Sequence, residues 1–317
     1  MENLQNIRRI DIIYDSSLRG NTASLLYNPL SFPDPTSRQG DISVTNIGSA
    51  CSQNTENKSF PKPMVSVIVP VFNEENTVQW VLNKLNCLDF VKEVIVVDDG
   101  STDLTSAKVD ELRLSKVQLI RLEKNTGKTA AVRRGLRNIT REITIIQDAD
   151  NEYDPTDIQD VIHPILINRA DVVYGSRFLV KRASRVLYFY HYLANKTLTL
   201  LSNLFTNVNF TDIETCYKAF RSPLIKGLPI SSRKFGMEIE ITALISRTRA
   251  RIYEVPISYY GRNYEEGKKI RARDGLAAFW QVFYYNLIAP HTAARRQYIR
   301  EANTYLNQLR DAISEKP

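Results

Sequence analysis

The sequence predicts an α/β protein with a mostly parallel central sheet flanked by helices. From Met64 onward, short apolar runs typical of buried strands alternate with segments whose apolar residues recur at helical spacing. This alternation indicates βαβ units, in which parallel strands are joined through helices. Acidic residues or sharp turns follow three of the apolar runs, at the sheet edge where α/β proteins bind ligands.

Each element of the first half can be justified in order. The predicted strands are apolar runs at 65–70, 93–97, 117–122, 143–146 and 171–174. The predicted helices between them are 76–88, 102–114, 129–138 and 155–168. In the first helix the apolar residues fall on one face: Val78, Val81, Leu82 and Leu85.

After Gly175 the alternation loosens and amphipathic helices are predicted. Residues 185–210 read as one long apolar-faced helix or a helix pair, either interfacial at a membrane or part of the core. A short helix at 238–246, a strand at 251–260 and a helix at 274–287 follow. The charged stretch 291–317 is predicted as a C-terminal helix or tail outside the main domain, 63–290.

Composition restricts the class of protein. The 317 residues include 42 Lys and Arg against 35 Asp and Glu, and the net charge of +7 suits an anionic partner. Three distant Cys residues exclude a disulfide scaffold and a CxxC zinc site, and they favour a reducing compartment. No run of about 20 apolar residues and no signal peptide is predicted. Residues 1–62 are rich in Ser, Asn, Thr, Pro and Asp with few large apolar residues, so a disordered or loosely attached tail is expected.

Acids at the predicted strand ends carry the chemistry. Asp148 and Asp150 follow the fourth strand at a spacing that lets both carboxylates face one hard cation, such as Mg²⁺ or Mn²⁺, which also binds substrate phosphates. The segment Gly127-Lys-Thr129 is not a nucleoside-triphosphate loop, because the glycine required five residues earlier is Leu122. Lys128 is therefore expected to be solvated at a helix start, or else to reach a phosphate.

Five motifs occur in order: Pro70-x-Phe-Asn-Glu74, Asp98-Asp-Gly-Ser-x-Asp103, Asn125-x-Gly-Lys-x-x-Ala131, Asp148-Ala-Asp150 and Gly175-Ser-Arg177. The set resembles family 2 glycosyltransferases with a GT-A fold, and among them the dolichyl- and polyprenyl-phosphate mannosyltransferase group. The resemblance covers residues 64–287. Later segments that resemble the acceptor side of that group lie at 211–221, 237–238, 255–257 and 262–268.

The resemblance implies roles for particular residues. Positions that bind the nucleotide match Pro70, Phe72, Glu74, Val97 and Asp99, with the Asp99 carboxylate accepting a base N–H. Ligands of the metal and diphosphate match Asp148 and Asp150, with Ala149 between them allowing close backbone approach. Glu152 is a third possible metal ligand. Cationic positions that face the phosphates match Arg177, Arg262 and Lys268, which with Asp150 form the implied catalytic set.

Two positions depart from the group's pattern. Phe72 stands where the group often has Tyr, which removes a hydroxyl contact and retains stacking. Glu152 stands where relatives often have Gln, which adds a carboxylate and can change the metal preference. Asp212, Glu214 and Glu238 receive no role from the pattern, and capping or pairing with Arg or Lys is as good an account of them as catalysis.

The implied function is inverting transfer of a hexose from GDP-mannose or UDP-glucose to a polyprenyl or dolichyl phosphate. A lipid monophosphate carries a charge of about −1.5 to −2, so it can attack without a general base. The resemblance further implies Mg²⁺ or Mn²⁺ as cofactor and peripheral attachment to the cytosolic face of a membrane.

Two other functions stay open, and a third is not predicted. A family 2 enzyme that uses a sugar hydroxyl as acceptor would need a catalytic base after the sheet. A transferase-like domain could also serve as a non-catalytic subunit. Nucleic-acid binding is not predicted, because no basic helix with base-reading side chains occurs in the sequence.

Overall fold

The structure is a computed structural model that describes residues 64–179, 188–232, 236–261 and 272–315. The predicted tail at 1–62 lies outside these residues. The strands are β1 (Val65–Val71), β2 (Val91–Asp98), β3 (Val117–Arg121), β4 (Ile143–Ile146), β5 (Val172–Ser176), β6 (Lys218–Arg221) and β7 (Ile252–Pro256). The α-helices are α1 (Val78–Asn86), α2 (Thr105–Glu111), α3 (Lys128–Leu136), α4 (Ile158–Leu166), α5 (Phe189–Thr206), α6 (Ser222–Lys226), α7 (Met237–Ile245), α8 (Ala272–Phe283) and α9 (Ala293–Ser314).

The strands form one sheet in the order β3-β2-β1-β4-β6-β5-β7. β1 pairs in parallel with β2 and β4, β2 with β3, and β5 with β7. β6 is antiparallel to both of its neighbours. The predicted mostly parallel sheet is confirmed, and the carboxyl ends of all strands except β6 meet at one edge, called here the ligand edge.

β6 was missed by the sequence prediction, which assigned 211–221 to a motif without a strand. The strand has only four residues and begins and ends with Lys218 and Arg221, so it has no apolar pattern to read. Lys218 is nevertheless 1% exposed, because its ammonium group donates to the carbonyl oxygens of Ile213 and Thr215. Buried hydrogen bonds of this kind depend on the tertiary structure.

Helices cover both faces of the sheet. Apolar residues of α1, α2 and α4 pack on one face, and those of α3 and α5–α9 pack on the other. Strand β1 shows the expected alternation, since Val67 and Val69 join the first cluster and Ile68 joins the second. At Gly135 a Cβ atom would lie 2.6 Å from Ile68, so only glycine lets α3 approach β1 this closely.

The elements predicted after β5 lie near their expected positions, although their ends differ from the prediction. Within the described part of 185–210, helix α5 spans Phe189–Thr206, and the strand predicted at 251–260 is limited to Ile252–Pro256. The predicted C-terminal helix is α9, whose Tyr298 hydroxyl donates to the Leu224 carbonyl at 3.1 Å. The domain boundaries at 63 and 290 remain predictions. No helix in the ranges that the structure describes combines the length and apolar content needed to cross a membrane.

Candidate active site

The loops that follow β1 and β2 are joined at the ligand edge by side-chain hydrogen bonds. The backbone N–H of Asn73 donates to the Ser101 hydroxyl at 3.0 Å, and the side-chain oxygen of Asn73 accepts from the backbone N–H of Thr102 at 2.9 Å. The Glu74 N–H donates to the Thr105 hydroxyl at 2.9 Å. Asn73 has a φ of 53°, a left-handed conformation that asparagine tolerates better than most residues. The two loops therefore form one rigid ledge.

The residues predicted to bind nucleotide divide into two groups on this ledge. Pro70, Phe72 and Glu74 are partly exposed and lie where a nucleoside could contact them. Val97 is 0% exposed and belongs to the hydrophobic core. Strand β2 is buried on both faces at this end, and the nucleoside contact that the resemblance implies for Val97 stays a prediction.

Asp99, predicted to accept a base N–H, accepts hydrogen bonds from the loop before α3. One carboxylate oxygen accepts from the Thr126 N–H and hydroxyl, both at 2.9 Å, and the other accepts from the Gly127 N–H at 2.6 Å. The side chain is 3% exposed. Asp99 holds the loop before α3 through these bonds, and its contact with a base N–H stays a prediction.

Lys128 begins α3 and extends across the edge to the acids after β4. Its ammonium nitrogen lies 2.7 Å from a carboxylate oxygen of Asp148 and 3.7 Å from one of Glu238, and it contacts the Cys216 sulfur. Burial lowers the pKa of Lys128, but the charges of Asp148 and Glu238 outweigh that effect and hold the pKa well above its ordinary value. The expected solvated lysine is thus an ion-paired one. Its partners are distant in sequence, so no local signal could have identified them.

The turn after β4 is anchored on both sides. The Glu152 N–H donates to the Asp150 carboxylate at 3.1 Å, and Asn151 between them is left-handed with a φ of 61°. The Tyr259 hydroxyl donates to the Glu152 carboxylate at 2.9 Å, and the Tyr260 N–H donates to the Glu152 carbonyl at 2.9 Å. Glu152, predicted as a third metal ligand, is therefore held toward the segment after β7.

The donor set at this turn fits a divalent cation that substrate phosphates complete. Among the described residues no group of three or more His, Cys, Asp or Glu side chains could hold a metal alone. Asp148 and Asp150 supply hard carboxylate oxygens, and Ala149 between them is buried. Mg²⁺ typically takes one or two protein carboxylates and fills its other positions with water and phosphate oxygens. Asp148 shares its carboxylate with Lys128, and the Asp150 carboxylate accepts from the Glu152 N–H, so a cation would share both acids with neighbouring groups.

Arg177, predicted to face phosphates, forms a buried ion pair. Its guanidinium donates twice to Asp212, at 2.7 and 2.8 Å, and its backbone N–H donates to the same carboxylate at 3.1 Å. The side chains are 9% and 0% exposed. The guanidinium also lies 5.1 Å from the centre of the Tyr259 ring. Pairing with a cation, one of the alternatives left open for Asp212, is what the structure shows.

Glu214 and Glu238 form a second acidic group beside Lys128 and Arg177. Burial and the nearby charge of Glu238 raise the pKa of Glu214 to about 7. One Glu214 carboxylate oxygen is buried with no hydrogen-bond partner in the parts of the chain that the structure describes. The sequence patterns assigned these acids no role. Arg262 and Lys268, the remaining predicted cations, lie outside the described residues.

The family model for glycosyl transferase family 2 matches residues 66–228. The chain belongs to this family. The match covers the ledge, the turn after β4 and the Arg177–Asp212 pair, in the order that the motifs predicted. The structure of glucosyl-3-phosphoglycerate synthase from Mycobacterium tuberculosis superposes with a TM-score of 0.57 at 20% identity, covering 71% of this chain and 79% of that one. This likeness concerns the fold and confirms the predicted GT-A architecture.

Relatives in the family resemble the group named from the motifs. The dolichol-phosphate mannosyltransferase of Pyrococcus furiosus is 29% identical over 209 residues, which cover 64% of this chain and 58% of that enzyme. The polyprenol monophosphomannose synthase of Mycolicibacterium smegmatis is 25% identical, over 64% of this chain and 79% of that one. A dolichyl-phosphate N-acetylglucosaminyltransferase of Methanococcus voltae is 25% identical, over 69% of this chain and 94% of that one. All three names contain a dolichol or polyprenol phosphate; the first two name mannose as the sugar and the third names N-acetylglucosamine.

Proposed function

We propose that this chain transfers a hexose from a nucleotide sugar to a polyprenyl or dolichyl phosphate at a membrane surface, with inversion at the anomeric carbon. The observation that carries the proposal is the meeting of the nucleotide ledge and the Asp148–Asp150 turn at one sheet edge. Relatives named for dolichol- and polyprenol-phosphate products support the acceptor. GDP-mannose and UDP-glucose are the donors that we consider first.

The chain's own residues have separable tasks in this reaction. The ledge around Asn73 and Ser101 holds the nucleoside, and Asp150 with Asp148 would hold a divalent cation. A bound Mg²⁺ or Mn²⁺ neutralises charge on the departing nucleoside diphosphate. We assign to Arg262 and Lys268 the task of holding the two phosphate groups together, as the family resemblance implies.

The acceptor phosphate needs positioning rather than deprotonation. A phosphate oxygen of the lipid attacks the anomeric carbon as the bond to the diphosphate oxygen breaks, so one displacement inverts the configuration. The lipid phosphate is already ionised at neutral pH, and no side chain has to accept its proton. The Arg177–Asp212 pair then serves to shape the pocket wall, because both side chains bind each other.

The surface beside this edge supports contact with lipid. On α5, Phe189 is 67% exposed, Tyr190 81% and Leu204 70%. Phe205 of α5 contacts Phe283 of α8 with ring centres 5.3 Å apart, so exposed apolar residues of both helices adjoin. We therefore assign α5 and the end of α8 to the headgroup layer, the interfacial alternative of the two that the sequence left open.

The test is transfer from radiolabelled GDP-mannose, UDP-glucose and UDP-N-acetylglucosamine to a short polyprenyl phosphate, with Mg²⁺, Mn²⁺ or EDTA. We expect label in the lipid phase with one donor, dependent on the cation. Donor hydrolysis without labelled lipid would contradict the acceptor assignment. Failure of the chain to bind any donor would overturn the enzyme assignment and favour the non-catalytic subunit.

One observation favours a second candidate, transfer to a sugar hydroxyl. Such an acceptor needs a base that is half ionised near neutral pH, and Glu214, with a pKa of about 7, has that property. Replacing the lipid phosphate in the same assay with oligosaccharide acceptors distinguishes the two candidates. Label in the oligosaccharide that disappears in Glu214→Gln would establish the second.

A further inference from the structure

Two acids lie on the far side of Lys128, and one of them, Glu214, has a buried carboxylate oxygen with no hydrogen-bond partner among the described residues. Glu214 lies in the loop before β6, and Glu238 lies in the first turn of α7. The Glu214 oxygen without a partner has almost no exposed area, and burying an acceptor in this state costs free energy that a donor from a ligand would recover. Glu238 is 8% exposed and lies 3.7 Å from both the Lys128 nitrogen and the Cys216 sulfur.

The fold holds Glu214 in this place. The buried Lys218 ammonium binds the carbonyl oxygens of Ile213 and Thr215, on either side of Glu214 in the chain. The Thr215 hydroxyl accepts from the Tyr217 N–H at 3.2 Å, which fixes the turn leading into β6. Glu214 is thus presented by a rigid loop.

The pair lies next to the diphosphate end of the site. Lys128 contacts Asp148 and Glu238 with one ammonium group, so only the width of that group separates the predicted metal turn from the acidic pair. The part of a nucleotide sugar that follows the diphosphate is the hexose. A hexose bound at Asp148 and Asp150 through its diphosphate would therefore lie against Glu238 and Glu214.

Charge decides which chemical group the pair can accept. Glu214 and Glu238 repel each other, and a phosphate group beside them would add further negative charge. A hydroxyl group is uncharged and donates a hydrogen bond to a carboxylate, which is what the unpartnered oxygen lacks. The pair suits a polyhydroxyl ligand and disfavours the lipid phosphate.

We propose that Glu214 and Glu238 bind hydroxyl groups of the donor hexose and thereby select the sugar that this chain transfers. The inference rests on the proposed nucleotide-sugar donor and is independent of the acceptor. It makes Glu214 and Glu238 specificity-determining residues, and it assigns Lys128 and Lys218 to positioning them.

The experiment compares donor and sugarless nucleotide in the full chain without acceptor. Calorimetry with Mn²⁺ measures the Kd of the preferred nucleotide sugar and of its nucleoside diphosphate for wild type, Glu214→Gln and Glu238→Gln. We expect each substitution to raise the Kd of the nucleotide sugar at least tenfold and to change the Kd of the nucleoside diphosphate less than twofold. The reason is that a site built to bind a hydroxyl discriminates strongly when that hydrogen bond is lost. Equal weakening of both ligands, or of neither, would overturn the inference.

Glu240→Gln is the matched control, since Glu240 lies on the same helix and its carboxylate binds Ser231, Ser232 and Arg295, away from the pair. It is expected to lower thermal stability and leave the ratio of the two Kd values unchanged. A ratio that shifts as much in this control as in Glu238→Gln would show that disturbance of α7 alone explains the effect, and would overturn the inference.

Deoxy-sugar nucleotides provide an independent measurement that folding defects cannot imitate. The hexose lacking the contacted hydroxyl should bind wild type at least tenfold more weakly and bind the matching Gln variant no more weakly than the parent sugar does. If Glu214→Gln instead lowers kcat at unchanged KM, and its rate no longer rises with pH as the wild-type rate does, Glu214 would be established as a base. If wild type selects among donor sugars in the binding measurements but transfers none of them to polyprenyl phosphate, the acceptor assignment is refuted and this inference is supported.

Discussion

The loops after β1 and β2 differ from the loop before β6 in how their carboxylates are satisfied. Asp98 and Asp99 both accept backbone N–H groups and are 3% exposed. Glu214 is held in place by its neighbours but has an oxygen without a partner and a like charge beside it. In the first region the carboxylates already have hydrogen-bond donors, whereas in the second a Glu214 oxygen has no donor among the described residues and a ligand can supply one. A preorganised ledge suits a common nucleotide, and a Glu214 oxygen that still lacks a partner suits selection among sugars.

The largest expected effect is at the turn that joins these two regions. Asp150→Asn should lower the transfer rate by about 10²–10³-fold, because it removes charge from the cation site and leaves the turn geometry intact. Initial rates of lipid labelling at saturating donor and Mn²⁺ measure the loss. Asp110→Asn, an exposed acid on α2 paired with Arg121, is the control and should stay within twofold. More than a tenth of wild-type activity in Asp150→Asn would contradict the assignment.

Next in size is the effect of breaking the buried Arg177–Asp212 ion pair, which joins the residue after β5 to the loop before β6. Asp212→Ala leaves the Arg177 guanidinium buried without its counter-ion, and we expect a loss of about 3–5 kcal/mol in the free energy of unfolding. Urea titration followed by circular dichroism measures it. The exposed pair offers the contrast, since Asp110→Ala should cost at most about 1 kcal/mol. Similar losses in the two variants would show that burial does not distinguish these pairs.

A smaller effect is expected in the pH dependence of stability. Glu214 faces Glu238, Asp212, Arg177 and Lys218, and its pKa is raised from 4.5 to about 7. The folded state therefore binds this proton more tightly than the unfolded state, so stability present below pH 4.5 is lost as the pH rises through 7. Wild type should lose on the order of 1–3 kcal/mol relative to Glu214→Gln across this window.

Paired denaturant titrations of the two proteins between pH 4 and 8 test this prediction. The difference between the curves isolates Glu214, because the other groups, including Asp212 with its lowered pKa, titrate in both proteins. A flat difference curve would show that Glu214 has an ordinary pKa in solution.

The smallest expected effect concerns the apolar surface of α5. Tyr190→Ser should change the free energy of unfolding by less than about 0.5 kcal/mol, because the side chain is 81% exposed. Binding to anionic phospholipid vesicles should weaken a few-fold in a sedimentation assay. Tyr253→Ser, at an exposed tyrosine of the edge strand β7, serves as the matched control. Equal loss in both variants would remove the special role of α5.

Local sequence patterns predicted the alternating strands and helices well. β1 to β5 and α1 to α4 lie at or near their predicted positions, because their apolar periodicity is short-ranged and matches one secondary structure. β6 was missed because four residues bounded by Lys218 and Arg221 carry no such periodicity. Its place between β4 and β5 is set by pairing with strands far away in sequence.

For the candidate site, too, the sequence predicted some features and left others to the tertiary structure. The ordered motifs predicted which residues would gather at the ligand edge, and the family match agrees with them. They did not predict the partners of those residues. Asp99 binds the loop before α3, Arg177 binds Asp212, and Lys128 bridges to Asp148. Each of these bonds joins residues at least 20 positions apart in the chain, beyond the reach of local spacing.

The sequence by itself therefore determined the α/β class, the family, and the edge at which chemistry is expected, because these depend on periodicity and on ordered motifs. Only the tertiary structure decided which carboxylates are satisfied and which are not. Hydrogen bonding and burial are properties of the three-dimensional surroundings, and a glutamate in the sequence reads the same whether its oxygens are paired, as in Glu240, or not, as in Glu214.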